Sequence, residues 1–504
     1  MRPVYDVAAV RAAEEAVMAT LPEGTLMERA ATGLADTCAT LMRDLGLGLV
    51  GARVVLLIGS GNNGGDALFA GAHLARRGAR VEAVLLGERA HVRGLETFVA
   101  AGGTLVDGDR VPAALGRADL VIDGILGIGG RGALGGRAAE CARLAAESGA
   151  LVVAVDIPSG VDADTGAVAD PSAAVDADAT VTFGCLKPGL LLSPGRDRAG
   201  AVLLIDLGLE GALPPSGLHA LDPLDLAEAV PEPGTQDYKY SRGVVGIAAG
   251  SPRYRGAGFM ATGSARHGNA GMVHVLDRGD GLAAALVDEF WDIVISSTAP
   301  AAVLRTTAWA VGPGLGVDAD GLRVLCDVLA VDAPVVVDAD ALRMLREPGA
   351  AGALAQRRHP TVLTPHEGEF AALGFTLESG AAEDRLGSAR QAARVMGAVV
   401  VLKGPGTVVA SPSGAAYVDT WGTADLGTAG SGDVLSGLLG ALLAGAQSRE
   451  VLDDDAAAMI AAAAVGLHGL AGRLAGRGGR PVTAPDIIGA LPEAIALVRR
   501  GGEA

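Results

Sequence analysis

Polar and apolar positions over 8–20 and 24–45 alternate at helical spacing, with Leu26, Met27, Ala30, Leu34 and Leu41 on one stripe, which predicts two helices. The pattern then changes. Residues 53–59 form an unbroken apolar run, as expected of a strand buried on both faces of a parallel sheet. Similar runs recur at 81–86, 119–123, 151–156, 179–183 and 201–205, several of them separated by alanine-rich helical stretches. Such alternation predicts a doubly wound α/β sheet. Over 207–237 the prolines Pro214, Pro215, Pro223, Pro231 and Pro233 interrupt any period, and only a short helix near 222–229 is expected. The alternation then resumes, with strands predicted at 244–249, 272–276, 292–296, 308–312, 335–338, 361–364, 399–402 and 407–410. The expected organisation is a first α/β domain over 1–212, a linker over 213–236 and a second α/β domain over 237–504. No internal repeat relates the halves.

Composition narrows the function classes. A chain of 504 residues can bury two or three separate cores. Half of it is hydrophobic but only 3% is aromatic, which suits close packing of alanine- and glycine-rich helices on sheets. A formal charge of −18 leaves no basic stripe to neutralise phosphates, so no nucleic-acid partner is expected. Cys38, Cys141, Cys185 and Cys326 are scattered without metal-ligand spacing, as in a reducing cytosol. The first turns carry Arg2, Asp6, Arg11, Glu14 and Glu15, unlike a secretory signal, and apolar runs such as 434–446 fall short of the ~20 residues a bilayer span needs. A cytoplasmic protein with no membrane partner is expected.

Lysine and asparagine are rare, and their positions are informative. Lys187, Lys239 and Lys403 are the only lysines, and Asn62, Asn63 and Asn269 the only asparagines. Where arginine otherwise supplies positive charge, a lysine marks a place that needs a compact ammonium. Most of these residues lie in glycine-rich turns at predicted strand ends, where an open parallel sheet binds its ligands.

In the first half the loaded turns are 61–66, 123–133 and 156–160. Their glycines can cradle phosphates. The oxygens of Asn63, Asp123 and Ser159 suit a hard cation. Gly59, Gly61 and Gly64 also match the dinucleotide fingerprint, but Glu88 fits the accompanying ribose-binding carboxylate only loosely, so a dehydrogenase is not favoured.

In the second half, Lys403 follows a predicted strand beside Gly404, Gly406 and Thr407, a set suited to nucleotide phosphates. The loop at 427–432 runs into an apolar helix whose free N–H groups favour an anion. Asp433 stands at that helix start, placed to orient or deprotonate an attacking hydroxyl in a phosphoryl transfer. His366, past the strand at 361–364, is a candidate substrate contact.

Taken together, these motifs resemble a known family. The first half, through 61–66, Asp123, 156–160 and 182–189, resembles NAD(P)H-hydrate epimerase domains. The second resembles the ribokinase-like ADP-dependent NAD(P)H-hydrate dehydratases, and the pair resembles the bifunctional nicotinamide-nucleotide repair proteins over nearly the whole chain. The resemblance implies a Rossmann-like first domain, a ribokinase-like second domain and a homo-oligomer acting on small molecules. It implies that the first domain interconverts the R and S hydrates of NADH or NADPH. The second would phosphorylate the S hydroxyl with ADP, and loss of phosphate would restore the reduced cofactor, with release of AMP.

Carried over by motif, Asn62, Asn63, Gly64, Gly65 and Asp66 would hold the hydrate together with Gly127, Ile128, Gly129, Gly130, Arg131, Gly132, Ala133 and Asp156. Asn63, Asp123 and Ser159 would bind potassium, and Asp156 with Lys187 would be catalytic. In the other half Ala257, Gly316, His366 and the catalytic Asp433 would contact the hydrate. Lys403, Gly404, Pro405, Gly406, Thr407 and Gly432 would hold ADP, with magnesium. Ala67 and Arg343 depart from the family's usual glycine and asparagine. A rival reading is a vitamin or sugar kinase fused to a nucleotide-binding scaffold, which would leave a stable phosphorylated product.

Overall fold

A computed structural model of the chain describes residues 1–87, 89–230, 232–297, 299–303, 305–377 and 384–501. Glu88 and Pro231 lie outside the described residues. The chain forms two compact units, one spanning Pro3–Ser216 and the other carrying Gly217–Leu377 and the chain from Arg385 on.

In the first unit the apolar runs become a parallel sheet. Its spatial order is Thr104–Leu105, Arg80–Leu85, Arg53–Ile58, Leu120–Gly124, Leu151–Val155, Ala179–Phe183 and Ala201–Ile205. Chain order therefore reverses between Arg53–Ile58 and Leu120–Gly124. At such a switch point the two outgoing loops part and open a crevice at the strands' carboxyl ends. The central strands are apolar throughout because both faces are covered. Leu56 and Ile58 pack with Leu34, Ala67 and Leu74 on one side, and Val55 and Leu57 with Leu115, Cys141 and Ala145 on the other. The helices predicted first are Val7–Met18 and Thr25–Asp44. The edge strand Thr104–Leu105 is too short to leave a period in the sequence.

The second unit's sheet runs Leu218–Ala220, Ala416–Val418, Val408–Ala410, Val399–Leu402, Thr361–Leu363, Val335–Val337, Ala308–Val311, Val244–Ala248, Met272–Leu276, Ile293–Ser296. Pairing is parallel from Val399–Leu402 to Ile293–Ser296 and antiparallel about Val408–Ala410. Here the switch point lies between Val244–Ala248 and Ala308–Val311.

The segment 213–236, read from its prolines as a linker, contributes the strand Leu218–Ala220 and the helix Pro223–Glu228. Pro223 sits in the first turn, where a missing N–H costs nothing. Asp222 and Asp225 close a capping box there, and Leu226 is buried.

Helix Ser431–Gln447 buries Val434, Leu435, Leu438, Leu439, Leu442 and Leu443 in the core, which fixes where its N-terminus points. Helix Asp454–Ala475 has the length and hydropathy of a membrane span, unlike the shorter runs noted in the sequence. Within this unit 89% of that apolar window is buried, so the helix is a core element here.

Candidate active sites

In the first unit the loaded turns meet at the switch point. A Cβ at Gly59 would lie 1.8 Å from the carbonyl oxygen of Ile125, so only glycine lets the turn after Arg53–Ile58 press against the turn after Leu120–Gly124. Asn63 ties three strand ends together, its Nδ2 donating to the carbonyls of Leu126 at 2.9 Å and Val155 at 3.0 Å. Asn62, Asn63, Gly64, Gly65 and Asp66 form the first turn of helix Asn62–Arg76, and no side chain caps it. Its N–H groups thus remain for an anion. Gly127 faces Asn63, and residues 127–133 continue as a turn over the crevice.

Asp123 is fully buried, and among the described residues no cationic side chain pairs with it. It accepts from Ser159 Oγ at 2.7 Å, Ser159 N at 2.8 Å and Ile125 N at 3.2 Å. Burial nonetheless pushes its carboxyl up to about 6. The Leu126 carbonyl lies 2.9 Å from Asn63 Nδ2 and 3.3 Å from Ser159 Oγ, so the oxygen-bearing residues expected for a cation do converge. Among the described residues no three His, Cys, Asp or Glu gather to hold a metal. A donor set of one carboxylate and neutral oxygens is of the kind that suits a hard cation.

Asp156 is held in the left-handed region, at φ 65°. Its Oδ1 accepts from Lys187 Nζ at 2.6 Å, Thr182 Oγ1 at 3.0 Å and Phe183 N at 3.2 Å, so Oδ2 is spared. Lys187, only 1% exposed, spends its other protons on Thr182 Oγ1 and the Phe183 carbonyl. Burial and the charges of Asp156 and Glu14 push Asp66 well above the usual carboxylate range. Burial and Asp156 raise Glu14 as well. Glu14 was not foreseen, because a carboxylate among the charges of an N-terminal helix looks like ordinary solvated surface.

In the second unit Asp338, 1% exposed, is the anchor. Its Oδ1 accepts from Lys403 Nζ at 2.8 Å and Thr364 Oγ1 at 2.7 Å, and its Oδ2 from Ser436 Oγ. Burial works against the Lys403 ammonium, but Asp338 and Glu369 together hold it above the ordinary lysine value. Gly430 caps helix Ser431–Gln447 at φ 87°, where a side chain would also strike Met260. Gly432 stands close to Lys403, since a Cβ there would lie 3.2 Å from Nζ. Burial, then the charge of Asp338, raises Asp433 to about 6.

Ala257 and Gly316 flank this unit's switch point, Ala257 within helix Arg255–Ala265 and Gly316 in the loop after Ala308–Val311. A Cβ at Gly314 would lie 2.8 Å from that of Ala257, and Gly316 N donates to Asp340 Oδ2 at 2.9 Å. Asp340 in turn acts on Asp433, so these expected contacts share one crevice.

The turn 403–407 holds itself in place by Thr407 Oγ1 donating to the Gly404 carbonyl at 3.0 Å. His366 is committed differently from a free substrate ligand. Its Nδ1 caps helix Glu367–Ala372, accepting from Gly368 N at 3.0 Å and Glu369 N at 3.2 Å, while its Nε2 lies 3.4 Å from Glu369 Oε1. His468 was missed. Fully buried and lowered by burial to about 4, it is a neutral ring 3.1 Å from Ser431 Oγ. As the lone ring nitrogen donor in an alanine-rich helix it was visible, but its partner is 37 residues away.

Fold and sites define a two-unit α/β enzyme, with a Rossmann-like crevice in one unit and a ribokinase-like anion turn in the other. A family model described as NAD(P)H-hydrate dehydratase matches residues 245–493, and one described as YjeF-related protein N-terminus matches residues 23–189. The chain is 45% identical to the bifunctional NAD(P)H-hydrate repair enzyme Nnr of Mycobacterium tuberculosis over 88% of its own length and 89% of that protein's. It is 44% identical to the Nnr of Mycobacterium leprae over the same shares. A crystal structure of the ADP/ATP-dependent NAD(P)H-hydrate dehydratase from Bacillus subtilis, co-crystallised with ATP and Mg2+, covers 54% of this chain and 96% of its own at 26% identity, with a TM-score of 0.46. The chain belongs to the family of bifunctional NAD(P)H-hydrate repair enzymes.

Proposed function

We propose that the first unit epimerises the hydrates of NADH and NADPH, and that the second converts the S hydrate to NAD(P)H at the expense of ADP. One observation carries the reading: each sheet has its own polar site at its own switch point, and each site sets a largely buried carboxylate, Asp156 or Asp433, near a lysine and a glycine-rich helix N-terminus.

In the first site Asp66, whose carboxyl is raised by burial and by the charges of Asp156 and Glu14, serves as acid, and Asp156, with Oδ1 bonded to Lys187, serves as base. The hydrated carbon lies next to the ring nitrogen, so its C–O bond can break with help from the nitrogen lone pair. Asp66, held protonated, gives its proton to the departing hydroxyl. Water then adds to the other face of the ring and yields a proton to Asp156 Oδ2. Lys187 stabilises the carboxylate throughout. A potassium ion held by Asn63, Asp123 and Ser159 would supply the positive charge that buried Asp123 lacks, and brace the turns that carry the hydrate.

In the second site Asp433 takes the proton from the S hydroxyl as that oxygen attacks the terminal phosphorus of ADP. The P–O bond to AMP breaks, and Lys403, the turn 404–407 and the helix N-terminus at Gly432 receive the phosphates. The phosphate ester then leaves from the same carbon, and loss of the adjacent ring proton restores the double bond. Magnesium, when bound, would neutralise phosphate charge that Lys403 alone cannot, since Asp338, Asp340, Glu369 and Asp433 crowd the site with negative charge. The free cysteines support a cytoplasmic setting, and exposed Trp291 beside the edge strand Ile293–Ser296 supports a homo-oligomer.

The test is incubation of mixed NADH hydrates with ADP, with ATP or with neither, while following the absorbance of reduced nicotinamide. ADP should drive full recovery of both epimers and yield AMP and phosphate. A stable phosphorylated product would instead favour a kinase, and equal rates with ATP would remove the preference for ADP alone.

A further inference from the structure

Arg385 opens helix Arg385–Met396 and is only 3% exposed, a buried charge that the proposed chemistry leaves unused. Its Nη1 donates to Glu367 Oε1 at 2.5 Å, and its Nη2 to the carbonyl of Lys403 at 3.0 Å. Its Nε is buried and has no acceptor among the described residues. An unsatisfied buried donor is costly, and an apolar side chain of similar volume often stabilises a fold as well as a buried ion pair does. Stability alone therefore gives little reason for an arginine here. The reason has to lie with the two nitrogens that do bond.

Both partners lie in turns that the proposed dehydration uses. Lys403 opens the turn 403–407, which receives the phosphates of ADP in that reading, and Glu367 follows His366 at the start of helix Glu367–Ala372. These turns follow neighbouring strands, Thr361–Leu363 and Val399–Leu402, and Lys403 N donates to the Pro365 carbonyl at 2.8 Å. Arg385 adds a second tie between them. A trans peptide sets its N–H opposite its carbonyl. With the Lys403 carbonyl drawn to the guanidinium, the Gly404 N–H is turned the other way, toward Thr407 Oγ1 at 3.4 Å. Gly404 itself stands at φ 148°, and a Cβ there would lie 2.5 Å from Arg385 Nη2. The guanidinium thus fills the space a side chain at 404 would need and fixes the peptide that leads into the turn.

We propose that Arg385 is a positioning residue for the ADP step, its fork holding the turn 403–407 against the start of helix Glu367–Ala372 in the shape that receives phosphate, a proposal that rests on the dehydratase reading of this unit. Arg385 acts through Lys403 and Gly404, so its contribution is the geometry of the turn and not a contact of its own with ADP. Lysine can replace it only in part, because a point ammonium lacks the rigid fork that reaches both acceptors at once.

The experiment compares the full parent chain with Arg385→Met, which fills the space without the fork, and Arg385→Lys, which keeps the charge and keeps the test open if Arg385→Met does not fold. Binding of ADP with magnesium is titrated by calorimetry, and KM for ADP and for the S hydrate is taken from the recovery of NADH absorbance. Loss of a charged donor from the turn, with the misplacement that follows, should raise Kd and KM for ADP roughly tenfold or more in Arg385→Met. KM for the S hydrate should stay within about threefold of the parent's. Arg385→Lys should fall between the parent and Arg385→Met. A smaller folded fraction lowers the apparent kcat and leaves KM alone, so ADP constants equal to the parent's in either variant would overturn the positioning role while leaving the dehydratase in place. A parent that binds ADP but restores no NADH would overturn the dehydratase reading, and the titrations would still decide what Arg385 does for the turn.

Discussion

Replacing Asp433 with Asn separates what the residue does for the reaction from what it costs the fold. Its carboxyl is raised from 3.8 to about 6, first by burial and then by Asp338. A shift of that size corresponds to about 3 kcal/mol, and partial exposure to solvent reduces it to about 1–3 kcal/mol. The sign follows from the protons bound. Between pH 3.8 and about 6 the folded state keeps a proton that the unfolded chain has released, so stability falls as pH rises through that window and stays lower above it. Asparagine has the same shape and no such cost. Asp433→Asn should therefore be more stable than the parent at pH 8, by roughly 2–10 °C in the melting of the second unit, and should lose the advantage near pH 3.5. Over the same change, ADP-driven recovery of NADH should drop about 10²–10⁴-fold. The parent's kcat/KM should have an acid limb near pH 6 that reports this carboxylate. Calorimetry of the full chain at the two pH values, paired with the recovery assay, reads both effects. A variant that melts lower than the parent at pH 8, or keeps more than about a tenth of its activity, would refute the reasoning.

Asp156→Asn should leave the S hydrate consumed at the parental rate while the R hydrate accumulates, save for slow spontaneous conversion, as chromatography of the two epimers would show. Potassium should raise the first unit's melting temperature over a choline control at pH 8. The rise should shrink below pH 6 as Asp123 takes up a proton, and vanish in Asp123→Asn. Asp338→Asn strips Lys403 of its closest counter-charge and should destabilise the second unit by about 3 kcal/mol, the low end for a broken buried pair because Glu369 stands 3.9 Å away. It should also move the acid limb of dehydration below pH 6, since Asp338 helps to raise Asp433.

Much of this architecture could be read from the chain, because strands buried on both faces must be apolar throughout and their runs stand out. The residues at their ends were equally visible: Asn63, Asp123, Asp156 and Lys403 are polar exceptions at the close of apolar segments. Elements stayed hidden where local pattern carries little weight. Leu218–Ala220 and Ala416–Val418 are three residues each, too short for a period, and are strands only because each finds a partner. Partners distant in sequence were hidden too. Ser436 reads as a small residue in an apolar helix until Asp338, 98 residues earlier, is found against it. His366 was visible as a polar residue at a strand end, but whether its ring faces a ligand or its own backbone depends on torsions that spacing does not encode.

The left-handed backbone at Asp156 restricts its sequence alternatives more tightly than its charge does. Among residues with a side chain, aspartate and asparagine settle into that conformation most readily, because a short polar group can bond locally and no long stem meets the carbonyl. Glutamate would keep the charge and strain the chain, while asparagine would keep the chain and lose the charge. Ranked by chemical likeness, the most conservative replacement is thus the one this backbone tolerates worse. A sequence drifting at this position can give up the reaction and keep the fold in one step, but it cannot pass through glutamate on the way.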